Sequence, residues 1–213
     1  MTARPPGLRV VNYHLTPAAR AEVYDREFAA LAERYAPVRE DDLAEYLTTG
    51  RWRMGRDGVI PVFYNGYRNN FDVARPLLDK HGLVGWFMAV TGFTDCPVAG
   101  QRDFAAAHRL AVTDEYADGR HALSWDELRL LDRGHVVASH TRTHSRVGLD
   151  DPAVVEAEIV GAQEDFRREL GHSVRAFAWL FGGKYGENPV ADAAVDRAGY
   201  EFLFSNFAVQ RLL

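Results

Sequence analysis

Two histidines, His140 and His144, stand four residues apart in Ser139-His140-Thr141-Arg142-Thr143-His144, directly after the apolar run Val136-Val137-Ala138. Imidazoles at this spacing can converge on one metal ion or one substrate, whether the segment coils into a helical turn or stays a loop at a strand end. A second polar cluster, Phe63-Tyr64-Asn65-Gly66-Tyr67, also closes an apolar run and offers a phenol and an amide. His14 follows a third run, and Phe181 with its glycines follows a fourth.

These groups need elements to carry them. Leu8 to Tyr13, Val59 to Phe63, Val84 to Val90, the run into Ser139, Val174 to Phe181 and Glu201 to Ser205 read as strands, with Pro61 an objection to a central place for the second. Helices are predicted between them. Thr16-Pro17 reads as the N-cap and first position of one carrying Phe28, Leu31, Ala32 and Tyr35, and Leu43 to Leu47 as a shorter one. A helix from Phe71 to His81 should be kinked or shortened by Pro76, and Phe104 to Leu110 forms another. Ser124-Trp125-Asp126-Glu127 is a capping box, Asp151-Pro152 starts a long amphipathic helix ending at Gly171, and Asn188-Pro189 starts a last one. The charges from Asp165 to Glu169 read as a solvated helix face. Alternating strands and helices predict a mostly parallel sheet covered by helices, and six or so units suit an incomplete barrel, with ligands at the carboxyl ends of the strands.

A chain of 213 residues with 47% hydrophobic and 26% charged residues suits one globular domain spanning 1–213. The net charge of −5 argues against a broad nucleic-acid or anionic-lipid footprint. Cys96 is the single cysteine, so no intrachain disulfide forms. With no apolar run of signal-peptide or membrane-spanning length, the expected location is cytoplasmic.

The motifs and their order resemble the NodB-homology polysaccharide deacetylases, nearly end to end. Val11-Asn12-Tyr13-His14 looks like that family's first strand, Phe63 to Tyr67 stands in the slot of its T-F-D-D-G-Y motif, and Ser139 to His144 matches S-H-[ST]-x-[ST]-H. Arg175-Ala-Phe-Ala-Trp-Leu-Phe181-Gly182 stands where the family reads R-x-x-x-x-P-[YF]-G. The resemblance implies a distorted, incomplete (β/α) barrel with a divalent-metal site at its mouth, used to hydrolyse acyl groups from sugars. It implies two Asp residues, one a general base and one a metal ligand beside the histidines, with an Arg orienting the base and a late L-x-H histidine as acid. Here His140, His144 and Arg175 match, whereas Tyr64 replaces the base, Asn65 replaces the carboxylate ligand, and Leu180 replaces the proline. No L-x-H histidine appears before Gln210-Arg211-Leu212-Leu213.

Tyrosine, with a reference pKa near 10, is a hydroxyl donor at neutral pH, and loss of a general base typically removes roughly 10²–10⁴-fold in rate. An amide in place of a carboxylate leaves a divalent ion's charge less balanced. The expectation is therefore no resident cofactor, with zinc or another divalent ion held weakly, if at all, by His140 and His144. The expected catalytic set is Tyr64, His140, His144, Arg175 and His14, with Asn65, Tyr67, Trp179 and Phe181 as substrate contacts. Three readings follow: a divergent enzyme acting on a small polar or acylated, sugar-like molecule with metal-independent or weak-metal acid/base chemistry; a sugar- or partner-binding protein without turnover; and a residual metal-dependent deacetylase recruiting Asp72 or Asp150. Against each stands a plainer one: Arg175 in a buried ion pair, Trp179 and Phe181 as pocket wall, His14 as a core histidine.

Overall fold

A computed structural model of the chain describes residues 7–145 and 151–212. It opens with strand β1 (Leu8–Tyr13), a 3-10 turn (Ala18–Arg20) and helix α1 (Ala21–Arg34). Thr16 is not the N-cap of this helix. It is fully buried, and its hydroxyl donates to Asn69 O at 2.9 Å, tying the end of β1 to the loop after a later strand. Next come β2 (Ala36–Pro37), α2 (Glu40–Thr49) and β3 (Gly58–Asn65), which is buried along its whole length. Pro61 sits within β3 after all. On that side β2 pairs as far as Val59 and β4 (Trp86–Ala89) begins at Val62, so Pro61 falls in a gap where a missing N–H need cost no ladder bond.

Between β3 and β4 lie a π-helical turn (Asn70–Ala74) and α3 (Arg75–His81). Pro76 follows directly on the π-helical turn within the helical run 68–81, so the α-helical part is shortened to Arg75–His81, as the proline leads one to expect. Two short helices, α4 (Thr91–Asp95) and α5 (Gln101–Ala107), and then α6 (Trp125–Leu131), lead to β5 (Val136–Ser139). The capping box before α6 forms as expected: Glu127 N donates to Ser124 Oγ at 3.3 Å, and Ser124 N donates to the Glu127 carboxylate at 2.8 Å. α7 (Pro152–Leu170), capped by Asp151, precedes β6 (Ala176–Ala178), which is shorter than its apolar run suggests because the chain enters a 3-10 turn at Leu180. α8 (Pro189–Ala198), capped by Asn188, leads to β7 (Phe202–Ser205) and to β8 (Ala208–Arg211), an antiparallel partner that the sequence pattern does not announce.

The strands run β1-β3-β4-β5-β6-β7-β8, parallel up to β7, with β2 beside β3. The sheet curls into a nearly closed barrel whose seam between β1 and β8 stays unsealed. Because side chains alternate across a strand, the apolar residues divide by parity. Val59, Phe63, Phe87, Val137, Phe177 and Leu203 pack under the helices. Val10, Ile60, Val62, Trp86, Met88, Val136, Ala138, Ala176, Phe202 and Phe204 fill the barrel. Interior positions are thus even-numbered, and at the carboxyl ends of the strands this parity brings Tyr64, within β3, and His14, His140 and Asn206, just past β1, β5 and β7, to the mouth. Among the described residues no helix is long and apolar enough to cross a membrane.

Candidate functional site

At the mouth lies a cleft of about 430 Å³, lined by Asn12, His14, Tyr64, Asn65, Tyr67, Arg109, His140, His144, Trp179, Phe181 and Asn206, among others. All but one of the residues expected at the site are there. The exception is Arg175. Its Nε donates to Glu201 at 2.7 Å, its Nη1 donates to Asp41 at 2.9 Å, and its guanidinium covers the Phe202 ring at 5.1 Å. It precedes β6 and so stands at the opposite end of the barrel from the mouth, which corrects its assignment as a catalytic residue. Asp72 accepts from Arg68 at 3.0 Å and does not line the cleft. Asp150 lies outside the described residues.

The histidine pair occupies a loop directly after β5. Residue 140 is the next inward position of that strand, and His140 N donates to Ala89 O at 2.9 Å, extending the ladder with β4. The loop is clamped from α7: Arg142 N donates to Glu158 O at 3.0 Å, and Thr143 N donates to the Glu158 carboxylate at 2.9 Å. The guanidinium of Arg142 donates twice to Asp165, which is 1% exposed, so the Asp165 end of the charge run faces the protein and not solvent. Two glycines make room for that residue. A Cβ on Gly92 would lie 2.6 Å from Arg142 O, and one on Gly161 would lie 2.8 Å from Arg142 Nη1.

Each imidazole is fixed through Nδ1. His140 Nδ1 lies 2.9 Å from Ala178 O and His144 Nδ1 lies 2.9 Å from His108 O. A carbonyl can only accept, so both Nδ1 atoms carry the proton and both Nε2 atoms keep their lone pair. The rings lie 5.1 Å apart between centroids. Burial, and secondarily the neighbouring His144, push the His140 pKa down to about 3; burial lowers His144 as well. His14, at the open end of the cleft, is also lowered by desolvation, and its ring stacks on Tyr64 at 5.3 Å. All three are neutral at pH 7.

Tyr64 stands between His14 and His140, 5.1 Å from the latter, and its hydroxyl donates to Asn206 O at 3.3 Å. Burial pushes its pKa up to about 12, so it is a proton donor in hydrogen bonds and not a base. Asn65 Nδ2 donates to Tyr67 Oη at 3.0 Å, and Ala111 N donates to the same oxygen at 2.9 Å. Asn65 Oδ1 and Asn12 Oδ1 are buried without a partner, as is Trp179 Nε1. Backbone strain gathers here too. Among the described residues the non-glycine residues with positive φ are Asn65, Arg109, Thr141, His144, Phe181 and Asn206; five line the cleft and Thr141 belongs to the histidine loop. Left-handed conformations at such residues cost of order 1 kcal/mol or more and concentrate at functional sites.

The groups able to face a divalent ion are His140 Nε2, His144 Nε2 and Asn65 Oδ1. This set is neutral, and among the described residues no cluster of three His, Cys, Asp or Glu side chains could hold a metal. The directions of the donors suit a cation, whereas their charge does not suit a tightly held divalent one. Sequence reasoning missed Arg109, the one cation among the described residues that line the cleft, and Asn206, which lies in the unannounced turn into β8. Their strained backbone carries no sequence signature. Cys96 lies outside the cleft, and burial raises its thiol pKa.

A parallel-stranded, unsealed barrel with a polar cleft at the strand carboxyl ends defines the class of the molecule. The family model described as polysaccharide deacetylase matches residues 54–203, and the chain belongs to that family. No curated protein matches the sequence at a significant level. Among solved structures it is similar to the Streptococcus pyogenes deacetylase PplD in complex with acetate, at 15% identity and TM-score 0.74, covering 98% of this chain and 88% of that one. IcaB from Ammonifex degensii is 16% identical with TM-score 0.69, covering 94% and 84%. A de-N-acetylase from Aggregatibacter actinomycetemcomitans is 16% identical with TM-score 0.70, covering 96% and 90%. At these identities the structural likeness concerns the fold.

Proposed function

We propose that the chain is a divergent enzyme that binds an acylated, sugar-like molecule in the mouth cleft and cleaves its acyl linkage by acid/base chemistry without the family's Asp pair. The observation that carries this reading is the pair of neutral imidazoles, each anchored through Nδ1–H on a backbone carbonyl, with both Nε2 lone pairs left for the cleft beside the Tyr64 hydroxyl. The unpartnered Asn12 and Asn65 oxygens add to it, because sugar hydroxyls or an amide N–H supply the donors they lack.

In this reading His144 Nε2 takes a proton from water as the oxygen adds to the acyl carbon. Tyr64 donates a hydrogen bond to the polar ground or transition state, and the proton passes from the imidazolium to the departing amine or alcohol, leaving a carboxylate. His144 is preferred to His140 as base because a pKa near 3 makes His140 the weaker proton acceptor. His140 then serves as a hydrogen-bond acceptor that orients the substrate. A divalent ion at the two histidines and Asn65 is held weakly and is not required.

The test is a turnover screen of N- and O-acylated monosaccharides and short oligosaccharides, in chelator and in added zinc, with Tyr64→Phe, His140→Ala and His144→Ala as controls. Turnover that survives chelation and collapses in His144→Ala is expected. Binding that depends on His140, with no turnover of any acylated sugar, would replace this reading with a binding protein.

A further inference from the structure

Beside the histidine cleft lies a second, larger cavity. It measures about 740 Å³ and lies between the loop after β6, the start of α8 and the middle of α7. Ile159, Phe177, Leu180 and Val190 give it an apolar floor, and Lys184 and Glu187 stand on its lining as well. Trp179 and Phe181 line both it and the histidine cleft, so the two spaces meet at these rings, and Thr141 of the histidine loop closes the near side. A volume of this size is in the range of small-molecule sites, far beyond what an acetyl group fills. Trp179, which lines both spaces, carries a buried indole Nε1 that is a donor without an acceptor among the described residues. An unmet buried donor costs about 1–3 kcal/mol.

We infer that the larger cavity is the acyl subsite of the same active cleft: it takes a medium-length alkyl or aryl acyl chain, whose carbonyl oxygen accepts a hydrogen bond from Trp179 Nε1 while the sugar-like part lies among the histidines. This rests on the acylated-substrate reading above and sharpens it, because the preferred substrate carries a bulky acyl group and not acetyl. The loop geometry supports the placement. Phe181 adopts φ 50°, turning the chain between the two spaces, and Trp179 packs edge-on against Phe177 at 5.1 Å, which fixes the indole at the junction. Gly182 is closely backed by Asn206 of the β7–β8 turn, and Gly182 O accepts from Ser205 Oγ at 3.0 Å, so the dividing loop is braced from the far side of the mouth.

The experiment is a calorimetric titration with glucosamine N-acylated by acetyl, butanoyl, hexanoyl and octanoyl chains, using hexyl glucoside as the carbonyl-free control and N-methyl alkanamides of the same lengths as sugar-free probes. Variants are Trp179→Phe, which keeps a ring but removes the donor, and Val190→Trp, which fills the cavity from a half-exposed position; melting curves confirm that both fold, and Leu180→Trp replaces Val190→Trp should it not. Affinity should rise up to about fourfold per methylene until the cavity is full, and Val190→Trp should abolish that rise. Trp179→Phe should weaken every acyl probe about tenfold more than it weakens hexyl glucoside, which loses only ring contact. Equal affinity for acetyl and octanoyl glucosamine overturns the acyl subsite while leaving the sugar-binding reading intact. A chain-length rise in the alkanamides without binding of any sugar keeps the acyl subsite and removes the sugar from the proposed function. Equal losses for hexyl glucoside and the acyl probes in Trp179→Phe overturn the carbonyl contact, and no binding of any probe overturns both proposals.

Discussion

Arg142, inside the histidine motif, is gripped by Asp165, on α7 beyond Glu158: Nε donates to Oδ2 at 2.8 Å and Nη2 donates to Oδ1 at 2.7 Å. Arg168 and the Thr91 hydroxyl, each at 2.8 Å, complete the ring of donors around this carboxylate. The grip holds the loop that carries both imidazoles.

Asp165→Ala should therefore destabilise the fold by about 2–3 kcal/mol, less than a fully buried pair because both guanidiniums reach solvent. Urea unfolding measures this. The same carboxylate sets a pH dependence. Burial alone would raise its pKa, but hydrogen bonds from Arg142, Arg168 and Thr91 outweigh burial and hold it below the usual value. A pKa lower in the folded than in the unfolded chain contributes stability above the ordinary carboxylate pKa of about 4, and that stability is lost as pH falls through the folded value. Unfolding free energy measured from pH 6 downward should drop more steeply below about pH 4 in the wild type than in Asp165→Ala.

Tyr64→Phe removes one hydroxyl and its bond to Asn206 O. A stability loss of about 1 kcal/mol or less is expected. If the hydroxyl acts on the substrate, kcat/KM on an acylated sugar should fall by roughly 10²-fold or more, while the His14 stacking on the ring persists. A change in stability without any change in turnover would confine Tyr64 to a structural part.

Asn65→Asp places a negative charge where Oδ1 is now buried and unpartnered. Cobalt(II) affinity, read from its visible absorption, should rise about ten- to hundredfold. Equal affinity in the two proteins would show that the cation does not sit beside residue 65.

Arg175→Ala should cost about 1 kcal/mol through its lost contacts with Glu201 and Asp41. Its partners lie at the amino end of the barrel, so affinity for a ligand in the mouth should stay within about twofold of wild type.

The repeating strand and helix pattern was legible because each strand carries a dense apolar run, and the caps of α6, α7 and α8 were legible because their side chains satisfy the first N–H groups locally. The site was legible in its types: His14, Tyr64, Asn65, His140 and His144 each follow an apolar run. Arg175 was misplaced because motif position was weighed above strand parity; it is odd-numbered and precedes its strand, whereas interior positions are even. The brief strands β2 and β8 escaped notice because β2 is only two residues long and β8 is half-exposed, leaving no periodicity to read. Asp165 was read as solvated because a charge in a helical run says nothing about a partner 23 residues away.

The bond from Tyr64 to Asn206 joins residues 142 positions apart in the chain. One side of the cleft comes from β3 and the opposite side from the turn into β8, so the mouth cannot exist while only the first half of the chain has emerged from a ribosome. The histidine loop and its α7 clamp can be in place well before then. Ligand competence should arrive late and abruptly during synthesis, once the chain beyond residue 206 is free to fold back.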